Sequence, residues 1–530
     1  MENQNDMQKR INELRKLKET AVLGGGKDRI AKQHERGKLT ARERIDRLLD
    51  PGSFVESNML VGQSYGAAAD GIIVGHGTVD GRPVCVYAQD STVLGGSVGA
   101  LHGNKMYHTV EQAIEMGVPV IGMLDGPGRR GLKLGASPKA DEAAGIDLIK
   151  YREEKDGSSV FFPNTQASGV IPQISAILGS CAGISVYSPA LTDFVFMIDK
   201  TSHMFITGPR IVKSVLGEDV TMDDLGGAKV HAQVSGVCSF RVKSEDECFD
   251  KIKKLLGYLP SNNTQISPRK TPTDDPNRYT DDLVDIVPSN SHKSYDMRRV
   301  VKSIADDGEL LEVKAEFAQE MITGFIRLNG YAVGVIANQP SVRAGALTIN
   351  SSNKQARFIR FCDAFNIPLV MLVDTPAYLP GLQQEQGGII THGAKVLYAL
   401  CEAVVPRVAV IIRKSYGGGA LGMGVVPGLG TDFIYAWPIA ETGVMGAEQT
   451  VDLFYAEDIA KSDKPQELRE KLIKEYTDRY ANPFFEASIR THINDVIEPR
   501  ETRRRIIQSL EFLRTKKIMR QPKRHGIIPL

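Results

Sequence analysis

Most of the markers that would settle this chain's chemistry at once are missing. Its six cysteines (Cys85, Cys181, Cys238, Cys248, Cys362, Cys401) are scattered without C-x-x-C spacing, which argues against a disulfide framework or a zinc site, so no metal is expected and a reducing compartment fits. Neither sign of charge dominates, with 65 Lys and Arg against 64 Asp and Glu, so no nucleic-acid footprint is indicated. The polar N-terminal stretch lacks the apolar core of a signal peptide, and no apolar run approaches the ~18 residues that span a bilayer. A cytoplasmic protein without a transmembrane segment is expected. The motif G-x-x-x-x-G-K-[ST] does not occur, leaving P-loop chemistry unsupported, and nicotinamide binding of the dinucleotide-fold type is not expected either. With 42% hydrophobic and 24% charged residues over 530 positions, the chain has ample core and more than one domain.

What is present centres on Ser415-Tyr416-Gly417-Gly418-Gly419-Ala420-Leu421-Gly422-Met423-Gly424, directly after the apolar, β-branched run from Val408 to Ile412. A glycine-dense strand exit at the start of a helix aims bare backbone N–H groups outward, at the positive end of the helix dipole. It suits a phosphate or a developing oxyanion, or it is a tight turn with no ligand.

A second copy shifts that balance. From Gly75 onward short apolar strands alternate with helical segments, which marks an α/β architecture. Gly330, Val333, Ala337, Lys354, Pro368, Asp374 and Pro376 repeat Gly81, Val84, Ala88, Lys105, Pro119, Asp125 and Pro127 at one constant offset. Val404 to Val408 then answers Val170 to Ile174, and Gly179-Ser180-Cys181-Ala182-Gly183 takes the place of the later glycine turn. The interval from Asp125 to Pro172 is longer than that from Asp374 to Pro406, so the first half carries an insertion within Arg129 to Asp156. The resulting division is a helical arm over 1–55, a first domain over 56–262, a Ser-, Asn- and Pro-rich linker over 263–294 and a homologous second domain over 295–530. In the arm, Met7, Ile11, Leu14 and Leu17 recur at helical spacing up to Gly24-Gly25-Gly26, and Thr40-x-x-Glu43 is a capping box before Ile45. Their apolar stripes read as packing surfaces.

Two such turns hold two anionic centres, one per domain, which suits thioester enolate chemistry with a partner that also develops charge on oxygen. Other readings stay open. Cys181 sits where a nucleophile elbow would place its nucleophile, with His102, His108, His203 and His231 as candidate bases, although a small cysteine after a strand more often fills core. Arg129, Arg130 and Lys133 either meet phosphates or form a solvated loop. Glu385 and His392 flank Gly387-Gly388 and order a loop or start a helix.

At these residues the chain resembles the carboxyltransferase subunits of biotin-dependent acyl-CoA carboxylases and decarboxylases, such as the propionyl-CoA carboxylase β chain, the large transcarboxylase subunit and the methylmalonyl-CoA decarboxylase α chain. The resemblance covers nearly the whole chain. It includes Gly37-Lys38-Leu39-Thr40-Ala41-Arg42-Glu43-Arg44, Ser168 to Ile174, Tyr187 to Phe194, Phe205 to Pro209, Leu225 to Ala228, Gly387 to Ile390, His392 to Lys395 and Tyr435 to Pro438. It implies two crotonase-like α/β domains in tandem, with the active site between the first domain of one subunit and the second domain of another. Carboxylated biotin on a separate carrier protein would meet a coenzyme A thioester there. By the family pattern, the N–H groups of Gly183 and Ile184 hold the thioester enolate and those of Gly418 and Gly419 hold the biotin ureido oxygen. Gly128, Arg129, Ala182, Tyr416, Gly417 and Leu421 are further substrate-binding candidates.

Departures bear on the acyl group. Relatives usually have Gly-Gly where this chain has Gly183-Ile184, Asp-Ser-Gly-Gly-Ala-Arg where it has Asp125 to Arg130, and Val-Pro-Gly-Phe where it has Thr375-Pro376-Ala377-Tyr378. Leu421 stands where propionyl-CoA carboxylases carry aspartate and where the decarboxylase and transcarboxylase chains tend to carry leucine. No Met-Lys-Met biotinylation site and no ATP-grasp motif occurs, so the resemblance implies partners: a biotin carrier protein with either a biotin carboxylase or a membrane decarboxylase subunit, around a homo-oligomer that is a dimer or a trimer of dimers. The alternatives are a subunit of a sodium-pumping decarboxylase, peripheral to a membrane complex; a biotin-independent crotonase-type enzyme; and an inactive scaffold paralogue.

Overall fold

The repeat in the sequence is a repeat of sheet topology. The computed structural model describes residues 2–130, 160–489 and 491–529. Lys133 and all of the inserted stretch beyond Arg130 therefore lie outside the described residues. The chain divides into two units, Met1–Gln265 and Ile266–Leu530.

In the first unit the strands are β1 (Val55–Ser57), β2 (Ile72–Val79), β3 (Arg82–Gln89), β4 (Val120–Gly126), β5 (Gln173–Ala182), β6 (Phe194–Ile198), β7 (His203–Phe205) and β8 (Phe240–Val242). They lie in the order β1-β2-β3-β4-β5-β6-β8, with β7 pairing the far end of β5. The pairs from β3 to β8 are parallel, while β2 runs antiparallel to both β1 and β3. Strand β4 and most of β5 are buried on both faces, which is why they read as continuous apolar runs rather than alternating ones. Helix Ala100–Met116 covers one face through Met106, Val110 and Ala113 against Val74, Cys85 and Tyr87.

The second unit repeats this plan with β9 (Leu311–Val313), β10 (Met321–Leu328), β11 (Tyr331–Asn338), β12 (Leu369–Thr375), β13 (Arg407–Tyr416), β14 (Phe433–Ala436), β15 (Glu441–Gly443) and β16 (Asp495–Val496). The order is β16-β14-β13-β12-β11-β10-β9, and β15 pairs the end of β13 as β7 pairs β5. Trp437, buried under helix Thr502–Phe512, donates its indole N–H to Thr502 Oγ1 at 3.0 Å. Residues 266–294 dock on this unit: Ala332 N donates to Pro268 O at 2.9 Å and Lys270 N to Gly330 O at 3.0 Å.

The register shifts at matching places, between Leu124 and Gly126 on β4 and between Val373 and Thr375 on β12. These irregularities carry Asp125 and Asp374. In the arm, Thr40 and Glu43 form the expected capping box on helix Ala41–Leu48. Helix Glu2–Val22 stops before the glycines, but Met7, Leu14 and Leu17 are exposed on the single chain rather than packed. Among the described residues, no helix is long and apolar enough to cross a membrane.

Candidate functional site

Each unit ends a long central strand in a glycine with left-handed backbone and the first turn of a short helix. After β5 come Gly183, at φ +63°, and the 3-10 turn Gly183–Val186; after β13 come Gly417, at φ +44°, and helix Gly417–Gly422. Only glycine takes such a φ without strain, so the strand can turn sharply into the helix. The first N–H groups of a helix have no intrahelical acceptor. In the first unit these belong to Gly183 and Ile184, in the second to Gly417, Gly418 and Gly419. Each turn thus opens on backbone N–H groups that its own short helix leaves unpaired.

The run Gly417 to Gly422 does have G-x-G-x-x-G spacing directly after a strand, so the sequence alone excluded a dinucleotide fold too readily. The helix behind it is six residues long, not the long helix that packs on the sheet of a dinucleotide-binding unit.

Buried aspartates fasten both strand exits. Asp125 accepts from Lys38 Nζ at 2.6 Å, Arg44 Nη1 at 2.9 Å and Gln33 Nε2 at 3.0 Å, and its own N–H donates to Gln89 Oε1 at 2.9 Å. Arg44 also grips Glu245 with Nε at 2.8 Å and Nη2 at 2.7 Å. A side chain on Gly179 would collide with Asp125, so the carboxylate occupies the room that glycine leaves beside β5. In the second unit Asp374 accepts from Arg413 Nε at 2.9 Å, Tyr295 OH at 3.0 Å and Lys414 N at 3.2 Å, while its N–H donates to Asn338 Oδ1 at 3.1 Å. Arg413 Nη1 in turn donates to Pro288, Asn290 and Lys293 carbonyls at 3.2, 3.0 and 2.8 Å.

Around the second turn, Tyr378 lies against Gly418: a side chain there would start 3.2 Å from Tyr378 Cδ2, and one on Gly422 would start 2.8 Å from Tyr378 Oη. Burial pushes the Tyr378 phenol up to about 12. Tyr416 donates its hydroxyl to Glu441 on the neighbouring β15, and burial, then the Glu441 charge, raises its pKa. Leu421 is part-exposed on the second turn, and Ile184 on the first is 49% exposed. Gly128 presses on the first strand exit so closely that a side chain there would collide with Ala182 O.

Several candidates fall away. Cys181 is fully buried and its thiol is pushed up to about 12 by burial, the opposite of an activated nucleophile. The histidines are engaged elsewhere: His203 Nε2 with Asp223 at 3.0 Å, His231 Nε2 with Met204 O at 2.8 Å, His108 Nδ1 with Glu111 at 3.2 Å. Burial drives the fully enclosed His102 down to about 3. Arg130 is neither solvated nor aimed at a ligand, because Nη1 pairs with buried Asp70 at 2.9 Å and Nη2 donates to Ser97 O at 3.1 Å. Arg129 beside it is exposed. His392 Nδ1 and Lys395 Nζ share Asn353 Oδ1 at 2.9 and 2.7 Å on helix Ile389–Glu402, and Glu385 lies on the preceding helix Leu382–Gln386. Lys38, Arg44 and Glu441 were missed as functional neighbours. Among the described residues, no group of three or more His, Cys, Asp or Glu is placed to hold a metal ion.

The family description for the carboxyl transferase domain matches residues 32–528. The chain is 48% identical to the carboxyltransferase subunit of propionyl-CoA carboxylase from Haloferax mediterranei, over 99% of this chain and 100% of that one. It is 46% identical to methylmalonyl-CoA decarboxylase subunit alpha from Veillonella parvula, over 99% of each. Among solved structures it is similar to transcarboxylase 12S, a hexamer assembly with methylmalonyl-CoA and methylmalonic acid bound, with a TM-score of 0.89 and 44% identity over 99% of this chain and 98% of that one. The likeness spans both units, and the fold is two crotonase-like units in tandem, as the resemblance implied.

Proposed function

The chain belongs to the carboxyl transferase family, and from that premise we propose that it moves a carboxyl group between biotin on a separate carrier protein and the α-carbon of an acyl-CoA of the propionyl or methylmalonyl type. The observation that carries this reading is the matched pair of strand exits, each with a left-handed glycine at the start of a short helix.

The proton and the carboxyl group exchange in opposite directions between the α-carbon and the ureido nitrogen that biotin would present. Loss of the α-proton, or of the carboxyl group at the oxidation level of CO2, leaves the bonding pair on the α-carbon and places negative charge on the thioester oxygen. Gly183 and Ile184 N–H groups meet that oxygen, and each such donor is worth about 2.7–4 kcal/mol in comparable oxyanion sites. The second turn fits biotin. It offers neutral donors only, from Gly418 and Gly419, beside the flat ring of Tyr378. A side chain at Gly419 would start 2.9 Å from Thr375 Cγ2, so there is room only for glycine at that donor. Bound there, biotin supplies an activated carboxyl group or accepts one, and its ureido oxygen is an acceptor matched to those N–H groups. No side-chain nucleophile is needed, in keeping with an inert Cys181. Gly128, Arg129 and Ala182 border the acyl side; Tyr416, Gly417 and Leu421 border the biotin side.

The reading requires a biotin carrier protein, a homo-oligomer and a location in the cytoplasm, with direction set by a biotin carboxylase or a membrane decarboxylase subunit. By the family pattern, Leu421 groups the chain with decarboxylase and transcarboxylase subunits rather than with ATP-driven carboxylases. Incubating the purified chain with free biotin and malonyl-, methylmalonyl- or glutaconyl-CoA, and following the thioesters by mass, tests the proposal. Biotin-dependent conversion of methylmalonyl-CoA to propionyl-CoA is expected. Acyl-CoA binding without biotin-dependent turnover of any of the three would sink it.

A further inference from the structure

One register position distinguishes the two turns. In the first unit Arg129 forms a parallel bridge with Val98, where Val98 N donates to Gly128 O and Arg130 N to Val98 O, both at 2.8 Å. In the second unit Tyr378 bridges Leu347 in the same sense, where Leu347 N donates to Ala377 O at 3.0 Å and Leu379 N to Leu347 O at 2.7 Å. Both segments follow an anchoring aspartate at the same spacing, so Arg129 and Tyr378 are counterparts.

Tyr378 shows what the position does, since its ring walls the second turn at Gly418 and Gly422. In the first unit the same backbone pairing holds Gly128 against the strand exit at Ala182. Neighbouring residues of an extended bridge alternate sides. Arg130 takes the inner side, with its guanidinium on Asp70, and exposed Arg129 takes the outer one. The same register position therefore holds a permanent cation in one unit and an uncharged aromatic ring in the other.

We infer that this position sets the charge each turn accepts: Arg129 is a specificity-determining residue that meets an anionic group of the acyl-CoA, its carboxylate or its phosphates, whereas Tyr378 gives the second turn a flat, neutral wall. The inference rests on the assignment of the acyl-CoA to the first turn. A planar guanidinium suits both anions because its paired N–H groups match two oxygens at once, a geometry that lysine reproduces only in part.

The test is calorimetric competition binding of methylmalonyl-CoA, propionyl-CoA and propionyl-pantetheine to the full chain and to Arg129→Ala and Arg129→Lys. Arg129→Ala is expected to weaken the charged esters about tenfold or more, with partial recovery in Arg129→Lys and no change for propionyl-pantetheine, which carries neither anion. Loss confined to methylmalonyl-CoA supports the inference and assigns the carboxylate; equal loss for propionyl-CoA supports it and assigns the phosphates. An equal loss for propionyl-pantetheine, or no loss for any ester, overturns it. Binding is read without turnover, so failure of the carboxyl-transfer reading would show separately, as a wild-type chain that binds the esters but does not turn them over with biotin.

Discussion

Replacing Arg44 by Met removes the cation on which two buried carboxylates converge. Its side chain is 1% exposed. Without it, Asp125 keeps Lys38 and Gln33, whereas Glu245 keeps, among the described residues, a long contact from Leu39 N at 3.4 Å and the charge of Lys38, whose ammonium is hydrogen-bonded to Asp125. The uncompensated charge therefore falls mainly on Glu245. Deleting one partner of a buried ion pair costs about 3–5 kcal/mol, while replacing the whole pair by uncharged groups costs far less. Arg44→Met alone should destabilise the end of β5 by about that amount, and Arg44→Met with Glu245→Gln should recover much of the loss. The loss is local to the first unit, so the assay is native-state hydrogen exchange at the amides of β5 and of helix Ala41–Leu48, where local opening is read directly. The expected order of exchange is wild type slowest, double variant intermediate, single variant fastest, with roughly a hundredfold or more between the extremes. Carboxyl transfer should fall in the same order, because β5 carries the Gly183 turn. A double variant that opens faster than the single one, or a single variant no faster than wild type, would refute the reasoning.

The two left-handed glycines should respond differently to Ala. Gly183 has open space around it, so Gly183→Ala meets only the left-handed penalty of about 1–2 kcal/mol, whereas a side chain on Gly417 would also start 2.6 Å from Val444 O; melting temperature and kcat should drop further for Gly417→Ala, and equal losses would contradict this. Lys354, whose ammonium donates to Lys314, Phe317 and Met321 carbonyls at 2.9, 2.8 and 2.6 Å, is pulled down to about 7 by burial, against the charges of Glu312 and Glu320. An unfolded lysine titrates near ~10.4, so between these values the unfolded chain holds the extra proton and stability rises with pH, by up to about 1.4 kcal/mol per pH unit. Lys354→Met should lose that part of the slope in melting curves between about pH 7.5 and 9.5; a slope equal to wild type would count against it.

The two sheets and both strand exits were legible because they rest on local signals: a constant offset between halves, apolar runs of strand length, and glycine where the backbone must turn left-handed. The anchors were not. Arg44 lies on a helix whose charged residues resemble a solvated face, and only the fold brings it to Asp125 and Glu245 far along the chain. Arg130 misled for the same reason, since nothing local marks a loop arginine as the buried partner of Asp70. Tyr378 was noted as a departure from the family pattern, but its role as a wall depends on two glycines, Gly418 and Gly422, that follow a later strand.

The unlike anchoring of Asp125 and Asp374 has a practical consequence for dividing the molecule. The first aspartate borrows its cations from the arm, so a fragment starting at residue 56 leaves it without Lys38, Arg44 and Gln33. The second draws on β13 and on the stretch before its sheet, so a fragment starting at 295 keeps Arg413 but strips it of the carbonyls of Pro288, Asn290 and Lys293. A division near residue 265 that leaves the arm on the first piece keeps both sets of anchors whole.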